Sequence, residues 1–119
     1  MIYIGTDIVP SARIDKLIQE KGKSFLNHIF TNLEQSICDN KSHSYVHYSG
    51  KFAAKEAVKK ALLSTKSFSH ISLKAIEVLN DPDGVPIIQL LADNIKCKGI
   101  QVSISHAGEY ATATAILEF

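Results

Sequence analysis

Residues 51–63, KFAAKEAVKKALL, decide how the rest of the sequence is interpreted. Their alanines and leucines recur at helical spacing, which predicts a helix with an apolar stripe of small side chains. Glu56 lies off that stripe, because a projection at ~100° per residue places it beside Phe52 on nearly the opposite side. Pairing of Glu56 with Lys59 or Lys60, worth ~0.2–0.5 kcal/mol, is one explanation. The other explanation is that Glu56 binds a ligand.

Upstream of this helix, the sequence predicts one strand and two shorter helices. Residues 2–9 alternate between apolar and other side chains, as in a strand, until Pro10 removes a ladder donor. A helix is expected over 11–22, where the last residue is a glycine suited to a left-handed stop. Thr31 and Glu34 have the spacing of a capping box, in which each side chain accepts a backbone N–H of the other residue, so a short helix should begin there.

Downstream of the long helix, which extends back to Ser42, two hairpins are expected. Residues 76–90 contain two alternating apolar segments around NDPDGV, a turn signature in which Gly84 supplies a positive φ. Residues 91–99, LADNIKCKG, predict a short helix ended by glycine. Residues 100–119 predict the second hairpin. Its last strand has alanines on one face and threonines on the other, and such small side chains leave room for another subunit.

Together these elements predict one α+β domain over residues 1–119, with a mainly antiparallel sheet packed on the long helix. The net charge of +1 offers no general attraction to nucleic acid or membrane. No apolar run approaches the ~20 residues of a membrane helix, and the N-terminus lacks signal-peptide features, so a cytoplasmic protein is expected. Cys38 and Cys97 are expected to be reduced packing residues, because two distant cysteines do not form a disulfide framework.

Asp7 is unusual because aspartate is depleted in apolar strands, where its carboxylate is costly to desolvate. An Asx turn before Pro10 would explain it. The alternative is that Asp7 and Glu56 converge, since two carboxylates offer the hard oxygen ligands that Mg²⁺ accepts beside water and phosphate. Positive charge would surround such a site, from Lys51, Lys55, Lys59 and Lys60. This arrangement favours a polyphosphate ligand.

The histidines suggest less. His43 and His47 have the i, i+4 spacing of a zinc pair on a helix, but neither the glutamate of a metalloprotease motif nor a third ligand accompanies them. His28 and His70 match no motif, so surface positions are expected for them.

Four segments, in order along nearly the whole chain, resemble the motifs of the holo-(acyl-carrier-protein) synthases, the small 4'-phosphopantetheinyl transferases. They are GTDIV with Arg13 and Ile14, then FAAKEAVKKAL, then GVP in the first hairpin, and VSISHAGEYATATAI. The resemblance implies transfer of 4'-phosphopantetheine from coenzyme A to a serine of apo acyl carrier protein, with release of 3',5'-ADP.

The resemblance also implies a role for each matching residue. Asp7 and Glu56 would bind Mg²⁺, or Mn²⁺, and Lys55 would contact the coenzyme A phosphates with help from Lys51. A separate hypothesis, which the resemblance does not supply, is that Glu56 accepts the proton of the attacking serine, directly or through a metal-bound water; the water is favoured because a metal-ligating carboxylate is a poor base. Four further residues would hold the nucleotide end of coenzyme A, namely Gly84, Pro86, Ser105 and His106.

Arg13, the only arginine, matches the residue that holds the acidic carrier protein in this family. The family forms homotrimers with sites between subunits, so a homotrimer is implied. The absence of nucleic-acid and membrane partners is expected from the net charge of +1 instead. The chain departs from the family where LLSTKSFSH, residues 62–70, replaces a glycine-rich stretch and where Val85 replaces a basic residue. A noncatalytic trimeric module that binds an acidic partner through its lysine-rich helix is the competing hypothesis, and it predicts binding without metal dependence.

Overall fold

Five strands and four α-helices follow one another along the chain in the computed structural model, which describes every residue from Met1 to Phe119. In chain order they are β1 (Ile2–Pro10), α1 (Ser11–Lys21), α2 (Lys23–Ile29), α3 (Asn32–Asp39), α4 (Ser44–Ser64), β2 (Ile76–Asn80), β3 (Pro86–Leu90), β4 (Gly99–Ala107) and β5 (Tyr110–Glu118). A 3-10 turn, Leu73–Ala75, precedes β2. The predicted α+β class is confirmed.

The strands form two separate antiparallel sheets. β1, β5 and β4 lie in that order in one sheet, and β2 pairs with β3 in the other. In the three-stranded sheet Asp7 pairs with Ala113, and Ala113 pairs on its other side with Ile104. Asp7 and Ile104 therefore lie on the two opposite edge strands.

Helix α4 packs across one face of the three-stranded sheet. A Cβ added at Gly5 of β1 would overlap the carbonyl oxygen of Ala57, so the two backbones are in direct contact. Nearer the start of α4, Gly50 lies against His106 and Ile104 of β4. The helix thus runs diagonally from β4 to β1. Its buried stripe consists of Ala53, Ala54, Ala57, Val58, Ala61 and Leu62.

The two faces of β5 have different environments. Its alanines, Ala111, Ala113 and Ala115, are buried against α4 of the same chain. The expectation that the alanines leave room for another subunit is therefore wrong for this face. The opposite face of the sheet is the one left exposed, and its large apolar side chains are Ile2, Ile4, Ile8, Tyr110 and Ile116.

The predicted ends of several elements are confirmed. Strand β1 ends at Pro10, and Gly22 ends α1 with a φ of 53°. The capping box is complete, because the Thr31 N–H donates to Glu34 Oε1 at 2.8 Å and the Glu34 N–H donates to Thr31 Oγ1 at 3.2 Å. Both predicted hairpins are present.

Two segments differ from the prediction. Residues 23–29 form helix α2, which no sequence pattern predicted. Residues 91–98 form no helix, although LADNIKCKG predicts one. In that segment Ile95 is buried, and the Lys98 N–H donates to the carbonyl of Glu118 at 2.8 Å, so the chain follows the sheet rather than coiling on itself. No helix of this protein is long and apolar enough to cross a bilayer.

Candidate active site

Asp7 points from the middle of β1 towards the flank of α4, and its side chain is 14% exposed. The Lys60 ammonium donates to Asp7 Oδ1 at 3.0 Å and to the carbonyl oxygen of Thr6 at 3.0 Å. The second carboxylate oxygen of Asp7 has no hydrogen-bond partner within the chain and is not sealed from solvent. Asp7 lies in a regularly paired strand, so the Asx turn that would explain it is not formed.

Glu56 lies one helical turn before Lys60, which places their Cβ atoms about 6 Å apart on the same flank of α4. Because Lys60 reaches Asp7, this is the flank that faces β1. Glu56 forms no salt bridge, so the expected pairing with Lys59 or Lys60 is absent. We name Asp7, Glu56 and Lys60 the carboxylate site.

The donor set of the carboxylate site fits Mg²⁺. The chain contains no group of three or more His, Cys, Asp or Glu side chains that could hold a metal ion. Mg²⁺ does not need one, because it is commonly bound through one or two carboxylates together with water and phosphate oxygens. The zinc alternative is not supported, since His43 precedes α4 with a left-handed φ of 54° and shares no helical face with His47.

A second concave site lies on the other flank of α4, between the β2–β3 hairpin and β4. Lys51 and Lys60 are nine residues apart, which is about 180° around a helix. The cavity has a volume of about 230 Å³. We name it the basic pocket; its walls are formed by Ile37, Lys41, His47, Gly50, Lys51, Asn80, Gly84, Pro86, Ile104 and His106. Four of the six residues predicted to bind coenzyme A therefore come together here, which are Lys51, Gly84, Pro86 and His106.

Positive charge is crowded in the basic pocket. Lys51 is almost fully buried, and its ammonium donates to the Val78 carbonyl at 2.7 Å and to Asn80 Oδ1 at 3.3 Å. Burial lowers the pKa of Lys51. The pKa of His47 is also lowered, first by desolvation and then by repulsion from nearby cations, including Lys41 and Lys51. An anionic ligand would relieve this repulsion.

The prediction for Lys55 does not agree with the structure. Its side chain is completely buried, and its ammonium lies 2.8 Å from Glu34 Oε1. It also donates to the carbonyls of Leu73 at 3.1 Å and Ile76 at 2.6 Å, so all three N–H groups are used. Lys55 therefore ties α4 to α3 and β2 within the core, and its amine has no free donor for a coenzyme A phosphate.

Two other predicted residues lie outside both sites. Ser105 is exposed on the face of β4 opposite to His106, because successive side chains of a strand alternate, and it does not line the basic pocket. Arg13 is exposed on α1 and forms no salt bridge, so its guanidinium is free to meet an acidic partner.

Some residues of these sites were missed or undervalued at the level of sequence. Lys60 was only one of four surrounding lysines, although its i, i+4 spacing from Glu56 is the signal of a shared flank. Glu34 was assigned only to the capping box, yet its second oxygen accepts the Val78 N–H at 2.7 Å. Gly50 falls inside the predicted long helix, and no sequence pattern indicated its contact with His106. Nothing in the sequence indicated that Lys41 and Asn80 line the same cavity.

Comparison with known proteins shows which family the chain belongs to. The sequence matches the 4'-phosphopantetheinyl transferase superfamily over residues 3–115. It is 42% identical over 116 residues to the holo-(acyl-carrier-protein) synthase of Protochlamydia amoebophila, covering 95% of this chain and 94% of the relative. It is 44% identical over 120 residues to the synthase of Chlamydia pneumoniae, covering 98% and 96%.

Solved structures share the fold. An ACPS–CoA complex of Chronobacterium ammoniagenes is 27% identical with a TM-score of 0.84, and the match covers 100% of this chain and 98% of that one. The holo-(acyl-carrier-protein) synthase of Helicobacter pylori, solved with coenzyme A, is 32% identical with a TM-score of 0.81, covering 97% and 99%.

The chain therefore belongs to the 4'-phosphopantetheinyl transferase superfamily. It is an enzyme, a phosphopantetheinyl transferase, and the resemblance noted in its sequence motifs is confirmed.

Proposed function

We propose that this enzyme transfers 4'-phosphopantetheine from coenzyme A to a serine of apo acyl carrier protein and releases 3',5'-ADP. One observation from the fold supports this most directly. Four residues expected at coenzyme A line one basic pocket, while Asp7 of β1 pairs with Lys60 on the other flank of α4, one helical turn from Glu56. Relatives of this chain have been solved with coenzyme A bound.

The reaction forms a bond between the serine oxygen and the β-phosphorus of coenzyme A and breaks the phosphorus–oxygen bond to 3',5'-ADP. The serine proton passes to Glu56, directly or through a water. Asp7 and Glu56 would hold Mg²⁺, or Mn²⁺, which when bound neutralises charge on the pyrophosphate. Lys60, in place of Lys55, supplies the second positive charge at the reacting phosphates. Such a reaction depends mainly on positioning and charge neutralisation.

The basic pocket receives the nucleotide end of coenzyme A. Lys51 and His106 offer positive charge and ring donors, and Gly84 and Pro86 form the wall contributed by the hairpin turn. Ser105 keeps a role only at the opposite face of β4, where it would meet a neighbouring subunit. Arg13 binds the acidic carrier protein from α1.

We also propose that the enzyme is a homotrimer. The carboxylate site adjoins β1 and the basic pocket adjoins β4, which are opposite edges of one sheet, with α4 running between them. One coenzyme A would reach both sites if they came from two adjacent subunits. The exposed apolar face of the sheet supports this, because it continues into a groove of about 490 Å³ beside β3 whose lining includes Ile87, Ile100 and Ile116.

The activity is tested by incubating the enzyme with apo carrier protein, coenzyme A and Mg²⁺ and measuring the carrier mass. A gain of one phosphopantetheine, lost when EDTA is added, is expected. Carrier binding that survives EDTA without any mass gain, across all carriers tried, would favour the noncatalytic module. The assembly is tested by light scattering after size exclusion, where a monomer at micromolar concentration would refute the trimer.

A further inference from the structure

Gly50 lies in the middle of α4, where a glycine is unfavourable relative to alanine. No backbone requirement explains it, because its φ is not positive. The residue is buried, and its surroundings give another reason for its small size. A Cβ at this position would lie 3.1 Å from both Cε1 and Nε2 of His106 and 3.3 Å from Cγ2 of Ile104.

The imidazole of His106 thus rests directly on the backbone of α4. Its Nε2 lies 3.3 Å from the carbonyl oxygen of Val46, one turn before Gly50. The same ring forms part of the wall of the basic pocket. Contact with the helix and contact with the Val46 carbonyl together fix the position of the His106 ring, and with it this wall of the basic pocket.

We propose that Gly50 is a positioning residue that seats the His106 ring against α4 and so sets the width of the basic pocket for the nucleotide end of coenzyme A. This inference rests on the proposed function. A methyl group at residue 50 pushes the ring away from the helix by a few tenths of an ångström, because contacts of 3.1 Å are tighter than nearly all real Cβ contacts. His106 is exposed, so this small displacement costs the fold little, and the moved ring narrows the pocket.

The consequence is an opposition between stability and binding. Gly50→Ala improves the helix propensity of α4, so the melting temperature is expected to stay level or rise by a few degrees. Coenzyme A binding is expected to weaken about tenfold in the same variant. If Gly50 had a purely structural role, Gly50→Ala would lower the melting temperature and the affinity for coenzyme A together.

The test uses the full chain with Gly50→Ala, His106→Ala and the double variant, and titrates coenzyme A by calorimetry. His106→Ala should weaken binding, and the double variant should bind no more weakly than His106→Ala alone, because the displaced ring is gone. Gly99→Ala is the matched control, since no atom lies within 4 Å of its added Cβ, and it should bind coenzyme A normally. Wild-type affinity in Gly50→Ala, or additive losses in the double variant, would overturn the proposal.

A second measurement separates this inference from the proposed function. The His106 Cε1–H resonance of the ligand-free enzyme should shift in Gly50→Ala and stay unchanged in Gly99→Ala. An unchanged resonance in Gly50→Ala would overturn the seating of the ring whatever coenzyme A does. A shifted resonance in a protein whose wild type binds no coenzyme A would instead refute the proposed function.

Discussion

The Lys60 ammonium lies 3.0 Å from Asp7 Oδ1, so a lysine of α4 neutralises an acid on the edge strand of the sheet. Glu56, one turn earlier on the same flank, forms no ion pair. A divalent cation bound by the two acids would compete with Lys60 for Asp7. Lys60 would then turn to the phosphates that arrive with the cation.

Replacement of Glu56 tests this arrangement. Glu56→Gln removes one negative ligand and one proton acceptor, so transfer should be abolished at every Mg²⁺ concentration. The carrier mass assay measures this, with circular dichroism to show that the variant is folded. Asp93→Asn removes an exposed acid outside both sites and should keep full activity. Normal turnover by Glu56→Gln would end the proposed mechanism.

Lys55 gives a prediction about stability. Lys55→Met leaves Glu34 charged and unpaired in the core, which should cost about 3–5 kcal/mol in the free energy of unfolding. A double variant, Lys55→Met with Glu34→Gln, should recover part of that loss because neither position then carries a buried charge. Urea denaturation of the three proteins provides the comparison.

The same double variant tests whether Lys55 contacts phosphate. Since the amine is completely buried and fully bonded, the folded double variant should retain most of its transferase activity. If the double variant is well folded but inactive, the result would support the original prediction that Lys55 contacts the phosphates of coenzyme A.

Two glycines should respond very differently to alanine. Gly5→Ala forces a Cβ into the Ala57 carbonyl, and neither backbone can move without parting β1 from α4, so a loss of more than about 3 kcal/mol is expected. Gly99→Ala meets no neighbour within 4 Å and should melt close to wild type. Thermal unfolding distinguishes the two. Equal melting temperatures would show that the helix does not lie this close to the sheet.

His47 gives a pH dependence with a definite sign. Desolvation, with repulsion from Lys41, His106 and Lys51, lowers its pKa below the ordinary 6.5. The unfolded chain therefore binds more protons in that range, so the contribution of His47 is complete above about pH 6.5 and is lost as the pH falls through the folded pKa. His47→Gln should lose less stability than wild type between pH about 6.5 and about 5 in urea titrations. Equal losses of stability in wild type and His47→Gln over this pH range would contradict the lowered pKa of His47.

Local signals in the sequence predicted most of the fold. The capping box, the glycine stop at Gly22 and the turn at Gly84 act through neighbouring residues, so short segments specify them. The LADNIKCKG segment was misassigned because its conformation depends on Ile95 entering the core and on pairing with β5. Those contacts are distant in sequence.

The site was predictable where residue type restricts the chemistry. An acid inside an apolar strand and an acid off the apolar stripe of a helix are both unusual, so Asp7 and Glu56 could be predicted as a pair of metal ligands, which stays a prediction. Lys55 was misassigned because a lysine beside an alanine stripe has the same pattern whether it points outward or inward. The Lys55 side chain points inward because it pairs with Glu34, which belongs to another helix.

The positions of the two sites on opposite flanks of α4 have a genetic consequence if the trimer forms as proposed. A subunit with a defective carboxylate site can still lend its basic pocket to a neighbour, and the reverse holds for a subunit whose pocket is damaged. Two inactive alleles, one of each kind, would regain partial activity when co-expressed, since mixed assemblies would contain some boundaries at which both intact halves meet.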